Sequence, residues 1–343
     1  MISAAKDQKL IKSSTVFERR LPVNLDERDS RFYKDELRYK TYDCYLDFVK
    51  NARISSDSIV YKNGVFLVAE TLYSEESKTY YKSSYLLKKI LLGKKNQLDR
   101  TKKYLLATDY SSSGHFHWLT EALPRIFCVK DLAPDFVLLL PDTPYIRKVA
   151  MESIDWLGIS FQDVIFMKEN EFYKAENLYF VSKLCRTGQM DDEIMQKINA
   201  RFGSSGNCGT RRLYVSREKA AFRKILNEKE LIAVLKANDF EILYGEDFSF
   251  AEQVEIFSTC RTLLGIHGAG LTNCLFMNPQ TNLIELRRNE VNVGYWFLAD
   301  CLNQNYYYYN GIPDSDKSVM GRGCNLTIPI NDFEEKILKN LQN

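Results

Sequence analysis

The sequence predicts an α/β fold with two domains, and three observations lead to this prediction. The chain has 343 residues, and at ~150 residues per domain this length favours two domains. Short apolar segments of strand length alternate with stretches of helical periodicity, which is typical of βαβ units. Residues 202–209 contain three glycines and two serines, so this segment is the predicted linker between the domains.

The first domain is predicted over residues 61–202, after an irregular or helical lead-in at residues 1–60. Its predicted elements are strands at 65–69, 104–108, 136–140, 164–167 and 178–181 and a helical stretch at 145–157. The continuous apolar run at 136–140 indicates a strand that is buried on both faces of a parallel sheet.

The second domain is predicted over residues 210–310, and a partly helical tail over 311–343 follows it. Its predicted elements are strands at 213–216, 240–244, 263–266 and 282–286, a helix that opens at Asn227, and a tail helix at 331–341. Ser249 and Glu252 are three residues apart before an apolar stripe, a pattern typical of a capping box at a helix start.

Composition excludes several classes of protein. The net charge is +2, too small to favour a dedicated nucleic-acid binder. The first residues lack the apolar region of a signal peptide, and the apolar runs are too short for a membrane span. The eight cysteines form no CxxC pair, which argues against a zinc site or a disulfide scaffold. We therefore expect buried thiols in a cytoplasmic protein.

The sharpest motif is the run His267, Gly268, Ala269, Gly270, Leu271, Thr272 and Asn273. A buried strand leads into this small-residue turn and a helix is predicted after it, so backbone amides and a helix dipole meet at one point. Such a point binds phosphate. Gly268 and Gly270 permit positive φ and close approach of a diphosphate, and His267 can donate to the leaving phosphate. An ordinary strand–helix turn with a structural histidine is the alternative interpretation.

A second cluster follows the strand at 213–216. Arg217 lies just past the strand end, where open α/β sheets bind ligands, and Arg217 and Arg223 can clamp a diphosphate through bidentate hydrogen bonds. Glu285, late in another strand, can accept from both ribose hydroxyls, or it forms a buried ion pair with a nearby arginine instead. Asn227 is a further donor-site candidate, although it also fits as a helix N-cap.

A third cluster contains His117 and Glu121, four residues apart on one helix face. Glu121 can orient His117 or raise the pKa of the ring, and either group can take a proton from an attacking hydroxyl. His115 and His117 could also form a metal pair, but nothing nearby completes a ligand set. A purely structural pair remains the other alternative.

These three clusters, in this order, resemble glycosyltransferase family 61. The matching blocks are residues 117–125, then Val215, Ser216, Arg217, Arg223, Asn227 and Glu228, then residues 250–253 and 267–273. The family includes bacterial capsule and lipopolysaccharide-type transferases, plant xylan-modifying transferases and animal N-acetylglucosaminyltransferases. The lack of an animal-type leader favours the bacterial cell-surface polysaccharide type.

The resemblance implies a GT-B-like fold, in which two Rossmann-like domains face each other across a cleft and the C-terminal domain holds the donor. It implies an inverting, metal-independent transfer, usually from a UDP-sugar, to a hydroxyl of a glycan or lipid-linked glycan. No cofactor is expected besides this co-substrate. His117 is the favoured base, and Glu121 is the alternative.

Two further expectations concern partners and rivals. Residues 78–103 hold nine Lys or Arg and one acidic residue, so this stretch could contact anionic lipid at the inner membrane face or be a solvated basic face. The rival functions are a non-catalytic nucleotide- or sugar-binding partner protein and a Rossmann-type oxidoreductase. The second is disfavoured because no GxGxxG turn with an acidic residue ~20 positions on is present.

Overall fold

The computed structural model describes residues 8–62, 65–66, 91–203, 209–290, 292–316 and 323–341. The strands in these ranges are β1 Gln8–Lys12, β2 Val16–Glu18, β3 Arg38–Lys40, β4 Cys44–Ser55, β5 Val60–Lys62, β6 Val65–Phe66, β7 Lys94–Gln97, β8 Lys103–Leu106, β9 Val137–Pro141, β10 Asp163–Met167, β11 Glu171–Val181, β12 Arg211–Val215, β13 Phe240–Leu243, β14 Cys260–Ile266, β15 Asn282–Arg287, β16 Asn305–Asn310, β17 Ile312–Pro313 and β18 Leu326–Thr327.

The α-helices in the same ranges are α1 Arg31–Lys34, α2 His115–His117, α3 Leu123–Cys128, α4 Met151–Trp156, α5 Asp192–Phe202, α6 Glu228–Ala237, α7 Phe250–Ser258, α8 Gly294–Cys301 and α9 Ile330–Phe333. Turns of π-helix lie at Trp118–Ala122, Ile146–Ala150 and Glu334–Leu338. Short 3-10 helices lie at Glu27–Asp29, Lys130–Asp135, Gly245–Asp247, Ala269–Phe276 and Lys339–Leu341.

The chain forms two compact units. Unit 1 contains Met1–Thr15 and Thr41–Arg186, and unit 2 contains Val16–Lys40 and Thr187–Asn343. The predicted linker falls mostly outside the described residues, because 204–208 are not described. The domain limits that the sequence suggests, and the GT-B arrangement, remain predictions.

Unit 1 is built on one mixed sheet with the strand order β10-β9-β8-β11-β4-β5-β6. Strands β10, β9, β8 and β11 are mutually parallel, whereas β4 and β5 run antiparallel to their neighbours. All five residues of β9 are buried, as expected for a strand covered on both faces. This parallel core confirms the predicted α/β class.

The first 60 residues differ from the predicted irregular or helical lead-in. Strand β4 is twelve residues long and pairs with β11 from Leu46 to Ser55. Residues 16–40, with β2, α1 and β3, belong to unit 2 instead. Charged residues within β4, such as Asp47, Lys50 and Arg53, interrupt its apolar pattern, so that periodicity alone does not reveal the strand.

Unit 2 is built on a five-stranded parallel sheet with the order β13-β12-β14-β15-β16. In chain order this is 2-1-3-4-5, a doubly wound arrangement in which the direction of strand addition reverses between β12 and β14. Ligands bind outside the carboxyl ends of the strands at such a reversal. Strand β16, with four consecutive tyrosines, was not predicted, because its polar hydroxyls and flanking asparagines hide the apolar pattern.

Several local predictions can be compared with the described residues. Ser249 caps α7 with a complete capping box, which confirms that prediction. The seven described cysteines are thiols rather than disulfides, and six are buried. No helix within the described ranges is long and apolar enough to cross a bilayer. The basic stretch 78–103 lies outside the described residues up to residue 90, and its lipid contact stays a prediction.

Candidate functional site

The residues that follow β12 and β14 meet at the reversal point of the unit 2 sheet. Val215 of β12 pairs with Gly265 of β14, so the chain leaves these two strands side by side. Arg217 follows the first strand and the turn at His267 follows the second. The structure therefore brings two of the predicted clusters together at the position where a doubly wound sheet binds ligands.

Gly268 and Gly270 are required for close packing rather than for positive φ. Gly268 is extended, with φ 163° and ψ 169°, and Gly270 does not lie in the left-handed region either. A β-carbon on Gly268 would lie 2.6 Å from Arg217 Nη1, and one on Gly270 would lie 2.7 Å from Val215 Cγ1. The positive φ that the sequence suggested is thus absent from both glycines, and the groups that approach them closely are Arg217 and Val215. The close approach of a diphosphate stays a prediction.

The 3-10 helix Ala269–Phe276 begins directly after this turn. Its first bond joins Leu271 N to Gly268 O at 3.0 Å, so the amides before Leu271 lie at the helix N-terminus, where such groups lack intrahelical partners. Leu271, Thr272 and Asn273 are buried. Asn273 Nδ2 donates to Gln253 Oε1 of α7 at 2.9 Å, so this side chain ties the helix to its neighbour.

Arg217 and Arg223 form a pair of positive charges beside the turn. Burial lowers the pKa of Arg217, and the charge of Arg223 lowers it further. Arg217 Nη2 donates to Phe222 O at 3.2 Å, but its buried Nε and that of Arg223 have no hydrogen-bond partner. Within the described residues no carboxylate forms an ion pair with either side chain. Two close guanidinium groups with unused buried donors favour a bound anion.

His267 belongs to a buried hydrogen-bonded chain. Its Nδ1 contacts Glu285 Oε1, and the hydroxyl of Tyr306 donates to Glu285 Oε2. Because a carboxylate can only accept, Nδ1 carries the hydrogen, and Nε2 is left at the far edge of the ring. Glu285 is 1% exposed and both of its oxygens are used. The predicted ribose contact therefore disagrees with this geometry. Glu285 is buried and paired, as the alternative expects, but its partners here are His267 and Tyr306 rather than an arginine.

Asn227 has a structural environment as well. It precedes α6 but makes no side-chain cap bond. Its amide instead forms two hydrogen bonds with the backbone of Ile328, at 2.8 and 2.9 Å. This pairing ties the start of α6 to the segment after β18, so it leaves Asn227 little capacity for a donor nucleotide.

The third predicted cluster lies in unit 1, on a helical segment with a change of winding. Helix α2 passes into the π-helical turn Trp118–Ala122 and then into α3. Single turns of π-helix inside α-helices are frequent at functional sites. His117 Nδ1 lies 3.0 Å from Glu121 Oε1, so the predicted pair is present. The His117 side chain is 35% exposed, whereas that of Glu121 is 7% exposed.

Three further charged residues that sequence reasoning missed surround Glu121. Lys183 Nζ lies 3.3 Å from Glu121 Oε2 and 3.7 Å from Asp109 Oδ2. Arg125 Nη2 contacts the same Asp109 oxygen at 2.9 Å. A signal for two of them exists: Leu106 of β8 pairs with Phe180 of β11, so residues just beyond these strand ends, Asp109 and Lys183, reach the same edge.

The cluster shifts the pKa values of His117, Glu121 and Lys183. Burial lowers the pKa of His117, but the hydrogen bond and charge of Glu121 outweigh it, and the net shift is upward. Burial raises the pKa of Glu121, but His117 and Lys183 outweigh it, and the net shift is downward. Burial is the largest effect on Lys183 and lowers its pKa to about 8. Glu121 is therefore ionised at neutral pH.

Two other features of the described residues concern metal binding and surface shape. Within these ranges, no three His, Cys, Asp or Glu side chains converge as a metal site would require. A surface depression of about 480 Å³ is lined by Asn238, Asn331, Glu334, Glu335, Leu338 and Lys339, and it shares no residue with either charged cluster.

Comparison with known proteins gives the class first. The family model described as Glycosyltransferase 61 matches residues 115–284, which include His117, Arg217 and His267 but end just before Glu285. An EGF domain-specific O-linked N-acetylglucosamine transferase of Drosophila melanogaster is 40% identical over 76 residues, 21% of this chain and 14% of that protein. The Bos taurus protein of the same name is 27% identical over 152 residues, 40% of this chain and 28% of that protein.

These matches show that parts of the chain are similar to proteins that are described as glycosyltransferases. More particularly, residues 115–284 are similar to glycosyltransferase family 61. The matched stretches span less than a third of each of these curated relatives.

Proposed function

We propose that this protein is an inverting glycosyltransferase that moves a sugar from a UDP-sugar to an acceptor hydroxyl. The observation that carries the proposal is the pair Arg217 and Arg223 beside the Gly268 turn, because their buried Nε donors have no partner among the described residues. A diphosphate supplies the acceptor oxygens that such guanidinium groups need. The position at the reversal of a doubly wound sheet is where a nucleotide binds.

The reaction is a single displacement. The acceptor oxygen attacks the anomeric carbon, the bond from that carbon to the diphosphate oxygen breaks, and a base takes the acceptor proton. Arg217 and the amides of the turn then face the oxygens that gain charge on the leaving diphosphate, and His267 adds a donor when its Nε2 carries a hydrogen. Fixed donors aimed at developing charge stabilise the transition state, each by about 2.7–4 kcal/mol in well-studied cases.

His117 is the better candidate for the base, and Glu121 for its orienting partner. Glu121 is almost fully buried and both of its oxygens have partners, His117 and Lys183. His117 Nδ1 donates a hydrogen bond to Glu121, so that the neutral His117 ring presents a lone pair at Nε2. A partly exposed imidazole with a pKa above its usual ~6.5 is well matched to proton transfer near neutral pH.

The donor sugar and the acceptor are narrowed by two lines of argument. The family resemblance favours a glycan or lipid-linked glycan acceptor in cell-surface polysaccharide synthesis at the inner membrane face. The printed names of the relatives favour N-acetylglucosamine as the sugar and a protein hydroxyl as the acceptor. We place the first acceptor class ahead, and a protein acceptor is the second candidate.

A thermal-shift panel of nucleotide diphosphates and nucleotide sugars, followed by turnover assays with UDP-N-acetylglucosamine first, tests the function. A ligand that binds only the folded state raises its stability, so UDP compounds should stabilise the protein more than ADP or GDP compounds. Stabilisation by UDP without UDP release from any donor and acceptor pair would favour the non-catalytic alternative. Stabilisation by NAD alone would favour the oxidoreductase.

A further inference from the structure

The least explained group of the unit 1 cluster is the buried lysine, Lys183. It follows β11 and its side chain is 5% exposed. Its ammonium lies between two carboxylates from different parts of the unit, Glu121 in the π-helical turn and Asp109 after β8. Burying an ammonium is costly unless it is paired, so this position calls for a functional explanation.

The two carboxylates do not depend on Lys183 equally. Asp109 Oδ2 already contacts Arg125 at 2.9 Å, and Asp109 Oδ1 accepts from Ser111 N at 3.0 Å and from Ser112 Oγ at 3.1 Å. Glu121 has His117 on Oε1 and Lys183, at 3.3 Å, on Oε2. Asp109 therefore has other donors to hold it in place, whereas Lys183 is a main anchor of Glu121.

The terminal torsion of a glutamate is broad, so a carboxylate that is held through one oxygen can turn away from its partner. We propose that Lys183 is a positioning residue: it holds Glu121 Oε2 so that Oε1 stays on His117 Nδ1 and the ring keeps Nε2 turned toward the acceptor. This inference rests on the proposed function, in which His117 is the base. Asp109, which Arg125 holds in place, contacts the ammonium from the other side.

The charges that face Lys183 determine how the arrangement responds to pH. They are Glu121, Asp109, Arg125 on α3 and His117 on α2. Burial and Arg125 lower the pKa of Lys183, whereas Glu121 and Asp109 raise it, and the result is about 8. As the pH rises through this value the ammonium loses its proton and Glu121 loses its anchor. Activity should therefore fall at low pH, where His117 is protonated, and fall again above about pH 8.

The test compares wild type, Lys183→Arg, Lys183→Met and the control Lys174→Met, which changes an exposed lysine of β11. In kcat–pH profiles, Lys183→Arg should keep activity above pH 8, because arginine stays charged. Lys183→Met should lower kcat by about 10- to 100-fold, the usual effect of a small misplacement of a catalytic group, with donor KM unchanged. Lys174→Met should behave as wild type. A wild-type kcat in a folded Lys183→Met variant would overturn the proposal.

A second measurement does not need activity. The chain has three histidines, so NMR of histidine-labelled protein can follow each ring. Glu121 raises the pKa of His117 more than Lys183 lowers it, so Lys183→Met, which frees Glu121 to turn away from the ring, should lower the midpoint of the His117 titration, and Lys174→Met should not. A raised midpoint would show only the loss of the ammonium charge and would contradict the positioning role. If no sugar transfer is found but the downward shift is, the proposed function fails while the coupling of Lys183 to His117 stands. An unchanged midpoint would contradict the inference.

Discussion

The guanidinium of Arg217 lies so close to Gly268 that a β-carbon on the glycine would come 2.6 Å from Arg217 Nη1. The absence of a side chain at Gly268 is therefore what allows the arginine to reach the turn. The two residues are 51 positions apart and follow neighbouring strands, β12 and β14, so this contact connects two motifs of the sequence.

Gly268→Ala should weaken UDP binding while the protein stays folded. The new methyl group would meet the flexible end of Arg217 rather than backbone, so the arginine should move away and the turn should remain. The control is Gly245→Ala, because a β-carbon on Gly245 has nothing within 4 Å. Calorimetric titration with UDP and thermal unfolding should separate the two variants. Equal UDP affinity in both would show that the Arg217 contact does not support binding.

Arg217→Ala and Arg223→Ala should each weaken UDP binding by about 1.5–3 kcal/mol, the contribution of a charge-assisted hydrogen bond. The binding of UMP, which has one phosphate fewer, should be weakened less than the binding of UDP. The double variant should lose less UDP binding free energy than the sum of the losses in the two single variants, because both arginines face one anion. Arg211→Ala is the control, since Arg211 pairs with Glu241 at the start of β12. Full UDP affinity in both single variants would move the donor site elsewhere.

Glu285→Gln should weaken UDP and inorganic pyrophosphate to a similar degree. The buried carboxylate orients the His267 ring by accepting a hydrogen bond from Nδ1, so its amide replacement should impair a phosphate contact. A glutamate that binds ribose would behave differently: UDP would bind more weakly and pyrophosphate would bind as before. Competition titrations with both ligands distinguish the two roles. The exposed carboxylate Glu241, changed to Gln, provides the reference.

His117→Ala should lower kcat by ~10²- to 10⁴-fold, the usual contribution of general-base catalysis, and leave donor affinity nearly unchanged. His115→Ala is the matched control, because His115 contacts Tyr145 instead of the charged cluster, at 3.0 Å. Glu121→Gln should lower kcat less than His117→Ala does. The reverse order of the two losses would make Glu121 the base.

The assignment of His117 as the base also predicts how activity depends on pH. Glu121 raises the pKa of His117, and only the neutral ring accepts a proton, so wild-type activity is lost as the pH falls through this raised pKa. Glu121→Gln removes the raising charge, and the acid limb should therefore move to lower pH. A limb that stays in place would mean that another group controls it.

Activity should survive EDTA. In the proposed mechanism, Arg217 and Arg223 provide the positive charge that a divalent ion provides in other transferases. Initial rates after dialysis against EDTA, with and without added Mn²⁺, measure this. Complete loss of activity that Mn²⁺ restores would refute metal independence.

Short-range residue patterns predicted parts of both clusters. The glycine turn and the spacing of His117 and Glu121 were recognisable because each depends on neighbours in the chain, either a strand end or one helical turn. The capping box at Ser249 is local in the same way. By contrast, β4 and β16 were missed, because their charged or tyrosine-rich sequences become strands through pairing with β11 and β15.

The sequence by itself determined the α/β class, the glycine turn after β14 and the His117–Glu121 pair, since these follow from periodicity and short-range spacing. Only the tertiary structure decided that Glu285 faces His267 and Tyr306, that Asn227 pairs with Ile328, and that Lys183 and Asp109 surround Glu121. The physical reason is that strand order and register bring distant residues to one sheet edge. Buried charges then take whichever partners that edge provides.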